Sequence, residues 1–206
     1  KATSSGDSLA FSIASRYTSA GSQIHEIVFP MTLDRVELEQ KWAESSQKII
    51  KILKTGADAC FLTLGDPLLY STYIYLLREL RARLPEVTVL TVPGINAFSA
   101  AAAPPEFPVG EAKEPVTILP TADDLENVRE ALARKGTVVL MKIGKRLEDI
   151  INLLDEAGLL KQSVFVSHAG MDDQRVETDL RNLRKQGPTA GYLSIILVHT
   201  HRDNSL

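Results

Sequence analysis

The chain has 206 residues, 44% of them hydrophobic and 24% charged, and its formal net charge at pH 7 is −3. This balance is typical of a globular protein with one or two domains, and the acidic charge disfavours nucleic acid and anionic membranes as partners. No apolar run reaches the ~18 residues of a membrane-spanning helix, and the opening stretch "KATSSGDSLAFS" lacks the apolar core of a signal peptide.

The first half of the chain alternates helical and strand patterns. Apolar residues at helical spacing predict helices at 9–17, 34–54 and 70–83, and a short alanine-rich helix at 96–103. Apolar runs between them predict strands at 24–29, 58–64 and 87–92. The long helix is expected to bury one side, formed by Val36, Leu38, Trp42, Ile49, Ile50 and Leu53. This order predicts a parallel sheet covered by helices.

A proline-rich segment then interrupts the alternation. The stretch "PPEFPVGEAKEP", residues 104–115, contains four prolines and several charges, which is typical of a linker. After it the pattern resumes, with strands predicted at 116–119, 137–143, 163–169 and 192–200 and helices at 123–134 and 147–157. We therefore expect an α/β protein made of two α/β domains with mainly parallel sheets, residues 1–108 and residues 109–206.

The only cysteine, Cys60, falls inside the predicted strand at 58–64. A single cysteine cannot form an intrachain disulfide, so a reducing compartment is favoured. We expect a cytoplasmic protein.

The stretch "FLTLGDPLLYST", residues 61–72, changes from an apolar strand to a polar turn. Gly65 allows a tight turn, and Asp66 followed by Pro67 is typical of a helix N-cap with a first-turn proline. Ligands of open α/β sheets bind beyond the carboxyl ends of the strands, where Asp66 would accept hydrogen bonds from a polar ligand. The residues alone leave both roles open.

A second stretch, "TVPGINAFSAAAA" at 91–103, places another glycine turn and helix start after the next predicted strand. Because parallel strands end at the same edge of a sheet, the two glycine turns are expected to lie together. Their free backbone amides would suit a polar ligand. Taken alone, Gly94 is better explained as an ordinary turn glycine.

Together "FLTLGDPLLYSTYIYLLREL", "VPGINAFSAAAA" and "VFPMTLDR" (28–35) resemble the tetrapyrrole methylases, from about Ser8 to Val198. "GDPLLYSTY" with "FPMT" resembles the branch that methylates C20 of precorrin-2 or cobalt-factor II in cobalamin biosynthesis. The resemblance implies a homodimeric methyltransferase with two α/β domains and S-adenosyl-L-methionine in the cleft between them. A tetrapyrrole would be the substrate.

The resemblance also implies roles for individual positions. The expected cofactor-binding residues are Leu64, Gly65, Asp66, Leu69, Ser71, Thr72, Asn96, Ala97, Met141 and Ala169, with Ser194 as a weaker candidate. The acceptor carries carboxylates, and its possible cationic contacts are Arg16, Arg35 and Arg175. Tyr70 and Tyr73 are expected either to pack against the macrocycle or to pack within the helix.

Methyl transfer from a sulfonium depends mainly on alignment, so we expect neither a catalytic dyad nor a metal site. The catalytic residue is unknown, and His168 and Tyr70 are weak candidates for a base. Of the other histidines, His199 and His201 are interpreted as a polar strand end rather than a metal site, and His25 is assigned no role.

The family also opens with a strand and a glycine-rich "GxGPGDP" loop that the printed sequence does not contain. We expect that part to belong to a longer chain, because losing the first strand would expose the sheet.

Three alternatives remain open. The chain could belong to another branch of the family, acting on a different ring position, on diphthamide or on ribosomal RNA, although its acidic balance weakens the RNA case. A nicotinamide-dependent dehydrogenase would need G-x-G-x-x-G after a strand, which these residues lack. A non-catalytic module that binds the cofactor or a tetrapyrrole is the third.

Overall fold

The structure is a computed structural model that describes residues 8–29, 34–120, 124–184, 186–187 and 191–201. Backbone proximity divides the chain into two compact units, Lys1–Gly94 and Ile95–Leu206. The domain boundary at residues 108 and 109 stays a prediction. In the described ranges, no helix is both long and apolar enough to cross a bilayer.

Among its described residues, the first unit contains three α-helices: α1 (Leu9–Ala14), α2 (Arg35–Leu53) and α3 (Tyr73–Arg83). A short 3-10 turn at Ser15–Tyr17 follows α1. Helix α2 begins where predicted because the Asp34 carboxylate accepts hydrogen bonds from the amides of Val36 and Glu37, at 2.8 and 3.2 Å. It packs against α3, where Trp42 and Tyr75 stack with ring centroids 4.2 Å apart.

The predicted buried side of α2 is only partly correct. Val36 is 64% exposed, whereas Ser45 and Ser46 are buried. These serines bury their hydroxyls by donating to the carbonyls of Lys41 and Ala43 within the helix. The spacing of apolar residues therefore predicted the wrong environment for Val36, in the first turn of the helix.

The three strands predicted in the first unit do not form ladders among the described residues. Segments 24–29, 58–64 and 87–92 carry no strand assignment. Burial still alternates along 87–92, as it would in a strand, but a strand also requires a neighbour, which local sequence does not specify. Cys60 is consequently exposed, so its predicted place inside a buried strand is wrong.

The second unit contains a five-stranded sheet in the order β1-β2-β5-β3-β4. Its strands are β1 (Val116–Pro120), β2 (Thr137–Met141), β3 (Ser163–Ser167), β4 (Arg175–Glu177) and β5 (Ser194–His199). Within the described strands, β1 and β2 pair in parallel, and the three other pairs are antiparallel. The α/β class is confirmed, but this sheet is mixed rather than mainly parallel, because β5 runs opposite to both of its neighbours.

In the described part of this unit, three α-helices accompany the sheet: α4 (Ala97–Ala102), α5 (Leu125–Leu132) and α6 (Leu147–Glu156). Short 3-10 turns lie at Gly144–Arg146, Leu160–Gln162 and Leu180–Leu183. Asp124 caps α5, accepting from two amides of its first turn, and residue 123 of the predicted helix lies outside the described ranges. The core brings together buried residues of α5, α6 and the strands, among them Val128, Leu140, Ile150, Leu154, Phe165 and Ile196.

The proline-rich segment 104–115 is attached to the second unit. Phe107 stacks on the ring of His199 in β5, with centroids 4.0 Å apart. At the other end, the Thr137 amide donates to the carbonyl of Pro115 at 3.0 Å. Helix α4, which precedes the segment, packs against β5 and β3.

We predict that Leu154→Ala lowers the free energy of unfolding by about 2–5 kcal/mol, because Leu154 is fully buried and truncation leaves a cavity. Leu62→Ala, the matched control in the first unit, removes a 40% exposed side chain. It should change stability by about 0.5 kcal/mol or less. Urea denaturation followed by circular dichroism measures both, and equal effects would contradict this location of the core.

Candidate functional site

The first glycine turn is organised by the carboxylate of Asp66. Gly65 has φ 68°, a left-handed conformation that suits glycine. Asp66 Oδ1 then accepts a hydrogen bond from the Leu68 amide at 2.8 Å, forming a local turn around the buried Pro67. The predicted N-cap role of Asp66 is wrong, because α3 begins only at Tyr73.

The other carboxylate oxygen reaches the second glycine turn. Asp66 Oδ2 accepts a hydrogen bond from the Gly94 amide at 3.1 Å, across 28 positions of sequence. A Cβ atom on Gly94 would overlap the carbonyl oxygen of Gly65, so the two backbones meet where a side chain has no room. The structure confirms that the glycine turns lie together, and one side chain links them.

Hydroxyl groups form a set of hydrogen bonds among the residues that follow the first glycine turn. Ser71 Oγ lies 3.1 Å from Thr63 Oγ1 and accepts a hydrogen bond from the Tyr73 amide at 3.2 Å. The Tyr73 hydroxyl lies 2.6 Å from Thr91 Oγ1. Ser71 is buried, and its hydroxyl therefore orders the protein itself. Of the other predicted contacts in this stretch, Leu64 and Thr72 are exposed and Leu69 is half-buried.

Asn96 and Ala97 lie at the start of α4, in the second unit. Asn96 Oδ1 is buried and has no hydrogen-bond partner among the described residues. A buried amide oxygen without a partner costs free energy, so a donor from a ligand would stabilise it. Ala97 is exposed beside it.

Three predicted residues of the second unit lie at the same end of the sheet, where β2 and β3 finish and β5 begins; this end is called the sheet edge below. Met141 ends β2 and lies opposite Ile195 of β5. Ser194, the first residue of β5, lies opposite Ser167, and Ala169 follows two positions later. Met141 is buried, Ala169 is half-buried, and the Ser194 hydroxyl donates to the Gly191 carbonyl at 2.8 Å.

Strained backbone conformations occur at the same sheet edge, and the sequence analysis did not predict them. Lys142, His168 and Leu193 have φ of 54°, 50° and 46°, which side-chain-bearing residues adopt at a cost of roughly 1–2 kcal/mol. The loops are tied together, because the His168 amide donates to the Leu193 carbonyl and the Gly144 amide to the Gly191 carbonyl, each at 3.0 Å. Gly191 is required here, since a Cβ would overlap Gly144. Such strain concentrates at functional sites.

His168 lies among polar side chains at this edge. Its Nδ1 is 3.8 Å from Asp173 Oδ2, and its ring centroid is 6.3 Å from that of Tyr192. The other histidines differ: His199 is buried with Nδ1 3.1 Å from Thr137 Oγ1, and His25 and His201 are exposed. Among the described residues, no group of three or more His, Cys, Asp or Glu side chains could hold a metal ion.

The candidate cationic contacts are already engaged. Arg35 pairs with Glu39 at 3.1 Å, and the Arg16 guanidinium lies 4.9 Å from the ring centroid of Tyr17. Arg175 pairs with Glu177 at 3.3 Å. Partial burial raises the pKa of Glu177, but hydrogen bonds from Asp179, Asn182 and Arg175 outweigh it and hold that pKa below its usual value. The motif residues 30–33 lie outside the described ranges.

Comparison with known proteins identifies the family. A model described as "Tetrapyrrole (Corrin/Porphyrin) Methylases" matches residues 4–184. The cobalt-precorrin-2 C(20)-methyltransferase of Salmonella typhimurium is 32% identical over 194 residues, which cover 94% of this chain and 80% of that protein. The chain belongs to the tetrapyrrole methylase family. A probable cobalt-precorrin-2 C(20)-methyltransferase of Methanocaldococcus jannaschii is 34% identical over 162 residues, 77% of this chain and 66% of the relative.

Solved structures of tetrapyrrole methylases have the same fold. The methyltransferase CobJ superposes with a TM-score of 0.58 at 19% identity, covering 86% of this chain and 77% of that chain. The uroporphyrin-III C-methyltransferase of Thermus thermophilus complexed with S-adenosyl homocysteine gives 0.56 at 14% identity, with coverages of 78% and 73%. At these identities the likeness establishes the fold alone.

We predict that Gly94→Ala lowers the free energy of unfolding by about 1.5–3 kcal/mol, the contribution of a hydrogen bond to a charged group. The added methyl group would push Gly94 away from Gly65 and break its bond to Asp66. Gly21→Ala is the control, because nothing lies within 4 Å of a Cβ at that position. Thermal denaturation compares the two, and a Gly94→Ala protein as stable as the control would contradict the close approach.

Proposed function

We propose that the protein is an S-adenosylmethionine-dependent methyltransferase that methylates C20 of precorrin-2 or cobalt-factor II in cobalamin biosynthesis. The observation that carries the proposal is the similarity to the Salmonella C(20)-methyltransferase over 94% of this chain. Further support comes from residues "GDPLLYSTY", which resemble that branch and form the turn organised by Asp66.

The residues of both units fit the cofactor chemically. S-adenosylmethionine carries hydroxyl, ammonium and adenine groups that donate hydrogen bonds, and Asn96 Oδ1 is a buried acceptor with no partner in the described structure. The turn at Leu64, Gly65 and Asp66 offers backbone groups and a carboxylate. Met141, Ala169 and Ala97 provide small or apolar surface. That a single cofactor molecule contacts both units remains a prediction.

Alignment is the main contribution that these residues would make to catalysis. When bound, S-adenosylmethionine supplies an electrophilic methyl group on a sulfonium, and the acceptor supplies an electron-rich meso carbon. Holding reactants in line contributes up to ~7–11 kcal/mol of barrier lowering. Rigid backbone turns, such as the one linking Gly65 to Gly94, suit this task. His168 and Tyr70 remain the candidate proton acceptors, and we expect neither to be indispensable.

We further propose a cytoplasmic homodimer, following the family resemblance and the single exposed cysteine. Light scattering across the micromolar range decides the oligomeric state. Another ring position, diphthamide, ribosomal RNA or a purely binding role remain the competing functions.

Incubation with S-adenosylmethionine and either precorrin-2 or cobalt-factor II tests the proposed activity. The expected product has gained one methyl group at C20, identified by mass spectrometry and NMR. Using both acceptors also distinguishes the metal-free from the cobalt-loaded substrate. Methylation at another ring carbon would replace the proposed specificity, and binding of both ligands without turnover would favour the non-catalytic module.

We predict that Asn96→Ala weakens binding of S-adenosylhomocysteine at least tenfold, because it removes a buried acceptor. The unliganded protein should be as stable as wild type or more stable, since Asn96 Oδ1 has no partner among the described residues. Calorimetry measures the affinity, and thermal denaturation measures the stability.

Asp66→Ala provides the comparison, because it should lower both affinity and stability by releasing the Leu68 and Gly94 amides. Unchanged affinity in the Asp66 variant would leave it a structural role alone. Unchanged affinity in Asn96→Ala would remove that residue from the site.

We predict that Ala169→Phe blocks binding of S-adenosylhomocysteine while the protein stays folded, because the bulky ring would occupy the end of the sheet at which Met141 and Ser194 also lie. Ala133→Phe, at an exposed position following α5, is the control and should bind normally. Calorimetry and circular dichroism check both variants. A folded Ala169→Phe protein with wild-type affinity would show that this edge does not contact the cofactor.

A further inference from the structure

Helices α2 and α3 of the first unit form a groove that contains none of the expected cofactor-binding residues. Its volume is about 590 Å³, within the roughly 300–1,000 Å³ typical of small-molecule sites. We call it the helix groove, and its lining includes Arg35, Glu39, Trp42, Tyr75, Arg78 and Glu79. This lining combines aromatic rings with charges of both signs.

The aromatic residues of the helix groove form a flat apolar surface. Trp42 of α2 and Tyr75 of α3 stack with ring centroids 4.2 Å apart and ring planes 2° apart. Trp42 is half-buried and Tyr75 is 39% exposed, so a ligand in the groove can reach the stacked pair. A flat conjugated ring, such as a nucleobase, gains stacking energy against a surface of this kind.

Arg78 places a cation beside the aromatic surface. Its guanidinium carbon lies 5.9 Å from the ring centroid of Tyr75, and the residue is exposed. Within the ranges that the structure describes, α2 and α3 contain ion pairs of Arg35, Lys41 and Arg83, but no carboxylate pairs with Arg78. A guanidinium presents a fork of N–H donors that matches the oxygens of a phosphate group.

The walls of the helix groove supply further donors and acceptors. Arg35 pairs with Glu39 at 3.1 Å on α2, and Arg83 pairs with Glu79 at 2.9 Å on α3. Each pair joins neighbouring turns of one helix, so neither of them crosses the groove. Surface ion pairs contribute little to stability, and their charged groups can therefore exchange partners with a ligand at small cost.

This combination of groups indicates the class of ligand. The stacked rings suit a base, the glutamate carboxylates accept hydrogen bonds from sugar hydroxyls, and Arg78 suits a phosphate. The three arginines and two glutamates of the lining leave one surplus positive charge. That small surplus suits a single phosphate group rather than a polyphosphate chain or a nucleic-acid backbone.

We propose that the helix groove is a binding site for a nucleoside monophosphate. This site would be additional to the one proposed for S-adenosylmethionine, because it shares no residue with it. The proposal therefore stands or falls independently of methyl transfer. Adenosine monophosphate is the probe, since it carries a base, a ribose and one phosphate.

Intrinsic fluorescence provides the test, because Trp42 is the only tryptophan in the chain. The full chain is titrated with adenosine monophosphate, with adenosine and with inorganic phosphate, each in the presence of saturating S-adenosylhomocysteine. Arg78→Gln removes the unpaired cation. Arg81→Gln is the matched control, because Arg81 is an exposed residue of the same helix that does not line the groove and donates to the Val87 carbonyl.

We expect adenosine monophosphate to change the Trp42 emission saturably, with an affinity at least tenfold higher than that of adenosine or inorganic phosphate. Arg78→Gln should weaken binding of adenosine monophosphate at least tenfold while its circular dichroism spectrum stays that of the wild type. Arg81→Gln should bind within twofold of wild type. Neither substitution should change the affinity for S-adenosylhomocysteine, measured by calorimetry.

Three outcomes would overturn the proposal. The emission could show no saturable change at millimolar adenosine monophosphate. Inorganic phosphate could bind as tightly as the nucleotide, which would reduce the site to an attraction between arginine and any anion. Arg78→Gln could leave the affinity unchanged, which would place the nucleotide elsewhere. The comparison of the three ligands on the wild type is decisive even if the variant fails to fold.

Discussion

The first unit's part of the candidate site depends on the pair of hydrogen bonds accepted by the Asp66 carboxylate. One oxygen fixes the turn at Leu68, and the other holds the Gly94 amide, which is distant in sequence. Hydrogen bonds to a charged group contribute about 1.5–3 kcal/mol each. Because the backbones of Gly65 and Gly94 touch, a single side chain fixes two turns that would otherwise move independently.

In the second unit, backbone hydrogen bonds and the Ser194 hydroxyl, rather than a carboxylate, hold neighbouring loops together. The loops after β2 and before β5 are joined by the hydrogen bond between Gly144 and Gly191, where a Cβ has no room. Left-handed residues at Lys142 and His168 direct the chain out of the strands. Both units therefore present closely packed turns rather than clusters of reactive side chains. Such rigidity suits a reaction in which positioning the two reactants accounts for most of the acceleration.

Sequence patterns predicted the elements whose causes are local. Helices α2 and α5 begin at aspartate caps, and the apolar runs of β2, β3 and β5 mark the core strands. The predicted strand directions were wrong, because an apolar run does not specify which strand it pairs with or whether the pair is parallel or antiparallel. The same limit explains the strands predicted in the first unit, which have no ladder partner among the described residues.

The site was predicted in part for the same reason. Gly65 and Gly94 were expected to meet, and Met141 and Ala169 lie at one edge of the sheet. The dipeptide Asp66-Pro67 predicts a helix cap from local sequence. The Asp66 carboxylate also accepts a hydrogen bond from the Gly94 amide, and neighbouring residues do not predict that distant donor. The strained residues of the second unit also depend on distant loops. The Gly191–Gly144 contact has only one local signal, a glycine close to the start of a strand.

The attachment of segment 104–115 affects how the protein would respond to a protease. Its prolines and charges are typical of exposed loops that proteases cut first. Here, however, Phe107 stacks on His199 and Pro115 accepts the amide that begins β2. A protease would have to detach one of these anchors before the segment could enter its active site. Resistance to cleavage would therefore report on the integrity of the second unit's sheet, which makes this segment a natural probe of local unfolding.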